Sequence, residues 1–131
     1  MRVMLHQVHC LAKTESDQDE IYCVVSIDDL EARPALVDVG KFDIGTNIRP
    51  DVLLSSDTNE SVVTITFMES DANEPDHGRD DFIGEISVTE NGDCTAGRCT
   101  LDEGLDESKQ YRQFSMTGSA ANYVVQFSIQ P

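Results

Sequence analysis

The sequence predicts an all-β protein, an antiparallel β-sandwich of about eight short strands. Three observations carry that expectation. Residues 122–130 alternate without a break: Tyr123, Val125, Phe127 and Ile129 face one way, and Asn122, Val124, Gln126 and Ser128 the other. Residues 62–88 repeat the pattern on both sides of an acidic connection, with Val63, Ile65 and Phe67 before it and Phe82, Ile83, Ile86 and Val88 after it. Period-two alternation of β-branched and aromatic residues marks a half-buried strand. No segment holds the 3.6-residue apolar spacing that an amphipathic helix needs.

Taken in order, residues 2–10 read as a first strand. His6 and His9 differ by an odd number of positions, so a regular strand sends them to opposite faces. Residues 11–20 form an acidic loop holding Glu15, Asp17, Asp19 and Glu20, with Lys13 ahead of them. The next strand covers 21–28 and puts Ile21, Cys23, Val25 and Ile27 on one face. A turn at 29–34 leads into a strand over 35–44, bent at Gly40. Gly, Asn and Pro punctuate 45–51 as a loop, 52–54 form a short edge strand, and 55–61 a polar turn. Beyond the central stretch, Asn91-Gly92 is a tight-turn dipeptide. Residues 101–108 are an acidic loop or one helical turn, and 109–116 a further strand. Residues 117–122 are small and polar before the last strand. No internal repeat or linker divides residues 1–131, which are read as a single domain.

Composition narrows the function. The chain has 131 residues, with 25 Asp plus Glu against 9 Lys plus Arg and a formal charge of −16. Nucleic-acid binding needs clustered Lys and Arg, so it is excluded as an expectation. Unaided attraction to an anionic membrane is disfavoured for the same reason. Two uses of the charge remain beyond plain solubility: binding cations, or coping with high salt. No long apolar run and no signal-peptide pattern is present. Four cysteines, Cys10, Cys23, Cys94 and Cys99, include no C-x-x-C pair, which argues against a zinc ribbon. Cys94 and Cys99 flank a plausible hairpin that a disulfide could close, and Cys10 and Cys23 fall in two candidate neighbouring strands. Bridging would place the protein in an oxidising compartment, secretion included; the alternative is that Cys10 and Cys23 are small buried hydrophobes.

The connection between the two central strands carries Glu69, Asp71, Glu74, Asp76, Asp80 and Asp81, offset only by His77 and Arg79. Such repulsion is relieved by water or by a cation, and hard carboxylate oxygens suit calcium better than zinc. The loop is not an EF-hand: Asp71 and Asn73 are suitably spaced, but Pro75 and Asp76 stand where Asp or Asn and then Gly belong. A calcium site therefore has to be shared with another loop. Glu69 and Asp71, two apart, leave the strand end on one side. Asp80 and Asp81 approach from the next strand, Asp76 can fold in from the tip, and Glu15, Asp17, Asp19 and Glu20 close the other side.

Glu69-Ser70-Asp71 followed by Asp81-Phe82-Ile83-Gly84 resembles the third calcium loop of the C2 domain, the β-sandwich of synaptotagmin and protein kinase C. Asp19-Glu20-Ile21-Tyr22 is similar to the end of that family's first calcium loop. The resemblance implies a calcium-dependent binding module with Glu69, Asp71 and Asp81 as third-loop ligands and Asp19 or Glu20, with Asp17 or Glu15, as first-loop ligands, while a longer third loop adds Asp76 and Asp80. It also implies a partner that is a phospholipid membrane or a protein. The chain departs from the family in using Glu69 where Asp is usual, in a polar tip at residues 73–78, and in lacking a Lys cluster. No G-x-S-x-G, H-E-x-x-H or phosphate-binding glycine loop occurs, so binding is expected rather than catalysis. An acidic structural or protein-interaction sandwich without functional calcium is the alternative expectation.

Overall fold

The computed structural model describes residues 2–13, 18–27, 35–55, 62–70, 80–89, 94–97, 99–101 and 111–130. The strands are β1 (Arg2–Ala12), β2 (Asp19–Ile27), β3 (Ala35–Phe42), β4 (Asn47–Ile48), β5 (Val52–Ser55), β6 (Val62–Glu69), β7 (Asp81–Thr89), β8 (Cys94–Gly97), β9 (Cys99–Leu101), β10 (Tyr111–Met116) and β11 (Asn122–Gln130). They form two antiparallel sheets, as expected for a β-sandwich. One sheet runs β4-β1-β11-β10-β9 with β5 also on β1, and the other β3-β2-β6-β7-β8. We refer to them as the β1 sheet and the β2 sheet.

The alternation that identified the strands is the burial pattern of the folded chain. β6 alternates half-buried and buried residues from Val62 to Glu69. The inward faces close one core, in which Leu5, Val8, Ile65, Ile86, Val125 and Phe127 are fully buried. Edge-to-face aromatic contacts knit the sheets: Phe67 meets Phe127 at 6.0 Å and Phe42 meets Tyr123 at 5.4 Å between ring centroids. Such contacts add about 0.5–1.5 kcal/mol to the burial of the rings.

Several sequence expectations are corrected. β1 continues through Ala12 and β2 starts at Asp19, so Asp19 and Glu20 belong to a strand rather than to a loop. The segment 45–51 is not wholly a loop, because Asn47 and Ile48 pair with His9 and Val8. His6 and His9 do not face opposite sides. The β1–β11 register slips between Leu5 and Gln7, a bulge that inserts one residue. The insertion keeps both Leu5 and Val8 inward, so His6 and His9 share the outer face. Cys10 and Cys23 sit in different sheets, each a buried free thiol. Cys94 and Cys99 do not bracket a hairpin: β8 pairs with β7 and β9 with β10, so the chain crosses between sheets there. Their side chains, the helical turn or acidic loop considered at 102–108, and Asn91-Gly92 lie outside the described residues.

Candidate functional site at one end of the sandwich

Backbone register decides which loops meet. Ile21 of β2 pairs with Glu69 of β6, and Glu69 pairs with Asp81 of β7. The Ser70 amide donates to the Glu20 carbonyl at 2.8 Å, extending that pairing past the strand. The β1–β2 and β6–β7 connections, which the sequence singled out as acidic, therefore leave the same end of the β2 sheet. The β3–β4 turn joins them, since Asp19 pairs with Phe42. So does the β10–β11 turn, where Ser119 Oγ donates to the Phe82 carbonyl at 2.9 Å.

The carboxylates at this end are divided between two faces. Asp19 and Glu69 continue the inward face of their strands and are 0% and 1% exposed. A buried carboxylate needs donors. For Asp19 one is the hydroxyl of Tyr123 on the opposite sheet, which donates to Oδ2 at 2.5 Å. Burial first, then its bonds to Asp19 and Cys10, push the Tyr123 hydroxyl pKa strongly upward. Burial likewise raises the Cys10 and Cys23 thiols, so neither is a ready thiolate. Asp81, directly across from Glu69, shares its side of the sheet, with β-carbons roughly 5 Å apart in such pairs.

Asp80 turns the other way. It accepts from the Tyr22 hydroxyl at 2.5 Å, and Tyr22 alternates with buried Ile21 and Cys23, so it lies on the outer face. Burial first, then Asp80, pushes the Tyr22 hydroxyl up to about 12. Half-buried Glu20 has Lys41 Nζ 3.7 Å from its Oε1. Asp19 and Asp80, as placed, address opposite sides of one sheet. Among the described residues, no group of three or more His, Cys, Asp or Glu side chains is disposed to hold a metal ion. Asp17, Asp71 and Asp76 lie outside the described residues.

Two clusters escaped sequence reasoning. Asp43, in the β3–β4 turn, accepts from Gln18 Nε2 at 2.8 Å and from Lys13 Nζ at 3.2 Å. These bonds, Gln18 foremost, hold its carboxyl below the usual range. It adds another acid to this end of the molecule, and only the β2–β3 register reveals it. Elsewhere, the His6 ring joins Asp51 Oδ1, 2.8 Å from Nδ1, to Ser128 Oγ, 2.6 Å from Nε2. The connectivity is that of carboxylate, base and hydroxyl in acyl-transfer enzymes. Ser128, however, is 6% exposed within β11, and the chain of bonds fastens β1, β11 and the turn before β5 to one another. No family model matches this chain, and no curated protein matches it.

Proposed function

We propose that the protein is a calcium-binding module of C2 type, working by binding rather than by chemistry on a substrate. The observation that supports it is the register that brings the acidic ends of β2, β6 and β7 side by side. Asp19, Glu69 and Asp81 on the inner side are hard oxygen donors of the kind calcium takes, and six to eight such oxygens complete its shell. Asp17, Asp71 and Asp76 are the further carboxylates that the adjoining connections supply. Bound calcium would offset the repulsion among these groups and stabilise the folded chain by mass action. The less negative end would then receive a partner, a protein surface or a phospholipid headgroup. Ile44, 67% exposed in the β3–β4 turn at this same end, is the apolar side chain that a bilayer would take up.

The test is thermal unfolding in calcium against chelator at constant ionic strength. Calcium at a hundred times its Kd adds about 2.7 kcal/mol, or roughly 10 °C in Tm for a chain of this length. An unchanged Tm sinks the calcium reading. A second reading is favoured by the tyrosine bonds: Asp19 and Asp80 already have protein donors, as expected of an acidic interaction sandwich without functional calcium. Liposome co-sedimentation in calcium separates lipid from protein partners.

A further inference from the structure

The outer face of the β2 sheet carries a groove along its edge strand. A hollow of about 460 Å³ is lined by Tyr22, Val24, Leu36, Asp38 and Asp80. A second, of about 270 Å³, is lined by Glu20, Asp38, Val39, Gly40 and Lys41. Asp38 borders both, so the two hollows adjoin beside β3. The groove floor is built by cross-strand pairs, Tyr22 with Asp38 and Val24 with Leu36. Leu36 is 71% exposed, an apolar side chain left in water on an outer sheet face.

The backbone beside this floor is open as well. β3 ends the β2 sheet, and among the described residues no strand pairs with its far edge. The bulge at Val39 and the positive φ of Gly40, 142°, bend the last part of β3 towards β4. That φ is one L side chains rarely adopt, so the bend favours glycine at residue 40. The bend leaves residues 35–38 as the accessible edge. Unpaired edges of this kind accept an added strand.

We propose that this edge and groove bind an extended, cationic segment of a partner protein by strand addition to β3. Charge selects the occupant. Glu20, Asp38 and Asp80 border the groove, Lys41 is its one base among the described residues and already lies 3.7 Å from Glu20, and the chain as a whole carries −16. A Lys or Arg side chain would lay its aliphatic stem on Val24, Leu36 and the Tyr22 ring and place its charge between Asp38 and Asp80. The intervening apolar residues of the same segment would turn to the other face of the sheet, on the side of Val37. A second copy of this chain fits poorly, because each copy carries −16 and brings the same acidic border to the edge.

The experiment is fluorescence anisotropy of a labelled, capped peptide alternating Lys or Arg with Val, titrated with the full chain in chelator. Working without calcium separates this proposal from the calcium reading. Leu36→Ser and Asp38→Lys change exposed side chains and leave the core intact. Each is expected to weaken binding by about tenfold, and N-methylating alternate peptide amides to abolish it. Affinity unchanged from the parent chain in both variants, or undiminished for the N-methylated peptide, would mean diffuse charge attraction and overturn the proposal. So would sedimentation showing a dimer that Asp38→Lys dissolves, which would assign the edge to self-pairing.

Discussion

Tyr123→Phe isolates one hydroxyl at the candidate site. The ring, its edge contact with Phe42 at 5.4 Å and its place in the core all remain. What is lost is the donor 2.5 Å from Oδ2 of Asp19, a carboxylate with no exposure to water. Hydrogen bonds to charged groups are worth about 1.5–3 kcal/mol, and depriving a buried acceptor of a donor costs a comparable amount. The expected loss is therefore about 2–3 kcal/mol, seen as a fall in Tm of roughly 4 °C per kcal/mol. Chemical denaturation of Tyr123→Phe, Asp19→Asn and the double variant forms a cycle that should return a coupling of about 1–2 kcal/mol. A stability loss under about 1 kcal/mol with no coupling would refute the view that the sheets are tied by this bond. The same variants report on calcium. If Asp19 is a ligand, calcium should recover part of the Tyr123→Phe loss by supplying the positive partner that the hydroxyl replaced.

Further outcomes follow from the same geometry. Asp71→Asn and Asp81→Asn should each weaken calcium binding by at least about tenfold, and calorimetry giving an unchanged Kd removes that residue from the site. Gly118→Ala should destabilise by about 3 kcal/mol, since its β-carbon would lie 2.6 Å from the Ile83 carbonyl oxygen and closer still to that of Phe82; denaturant unfolding with an unchanged midpoint would contradict the packing. At alkaline pH, Tyr22, raised to about 12, keeps its proton in the folded state above the unfolded value of about 10. Its contribution is thus complete below about 10 and is lost as pH rises towards 12; Asp80→Asn should lower the Tyr22 transition in an ultraviolet titration. On the acid side the sign reverses: the depressed Asp43 carboxyl stabilises above the usual carboxylate range and stops doing so as pH falls through it. Asp43→Asn should therefore flatten the decline of Tm in acid.

The strands were legible because one face of each is buried, and burial writes a period of two into the chain. The run from Asn122 to Ile129 and the pair flanking the acidic connection needed nothing beyond that rule. The bulges were not legible. An inserted residue at His6 or Val39 leaves the composition of a strand untouched while reversing the parity of everything after it, so the faces of His6 and His9 could not be read by counting. Nor could the place of Asn47 and Ile48, a segment too short to show alternation and paired only because β1 offers an edge there.

By itself the amino-acid sequence determined an all-β sandwich, a formal charge of −16 and two acid-rich connections. Tertiary structure alone decided that those connections leave one end together, that Asp19 points inward to Tyr123, and that Asp80 points outward to Tyr22. It also decided that β3 ends the β2 sheet. The physical reason is distance along the chain. Alternation and charge are local properties, whereas the partner of a buried carboxylate, here 104 residues away from Asp19, exists only once strand order and register have brought the two sheets face to face.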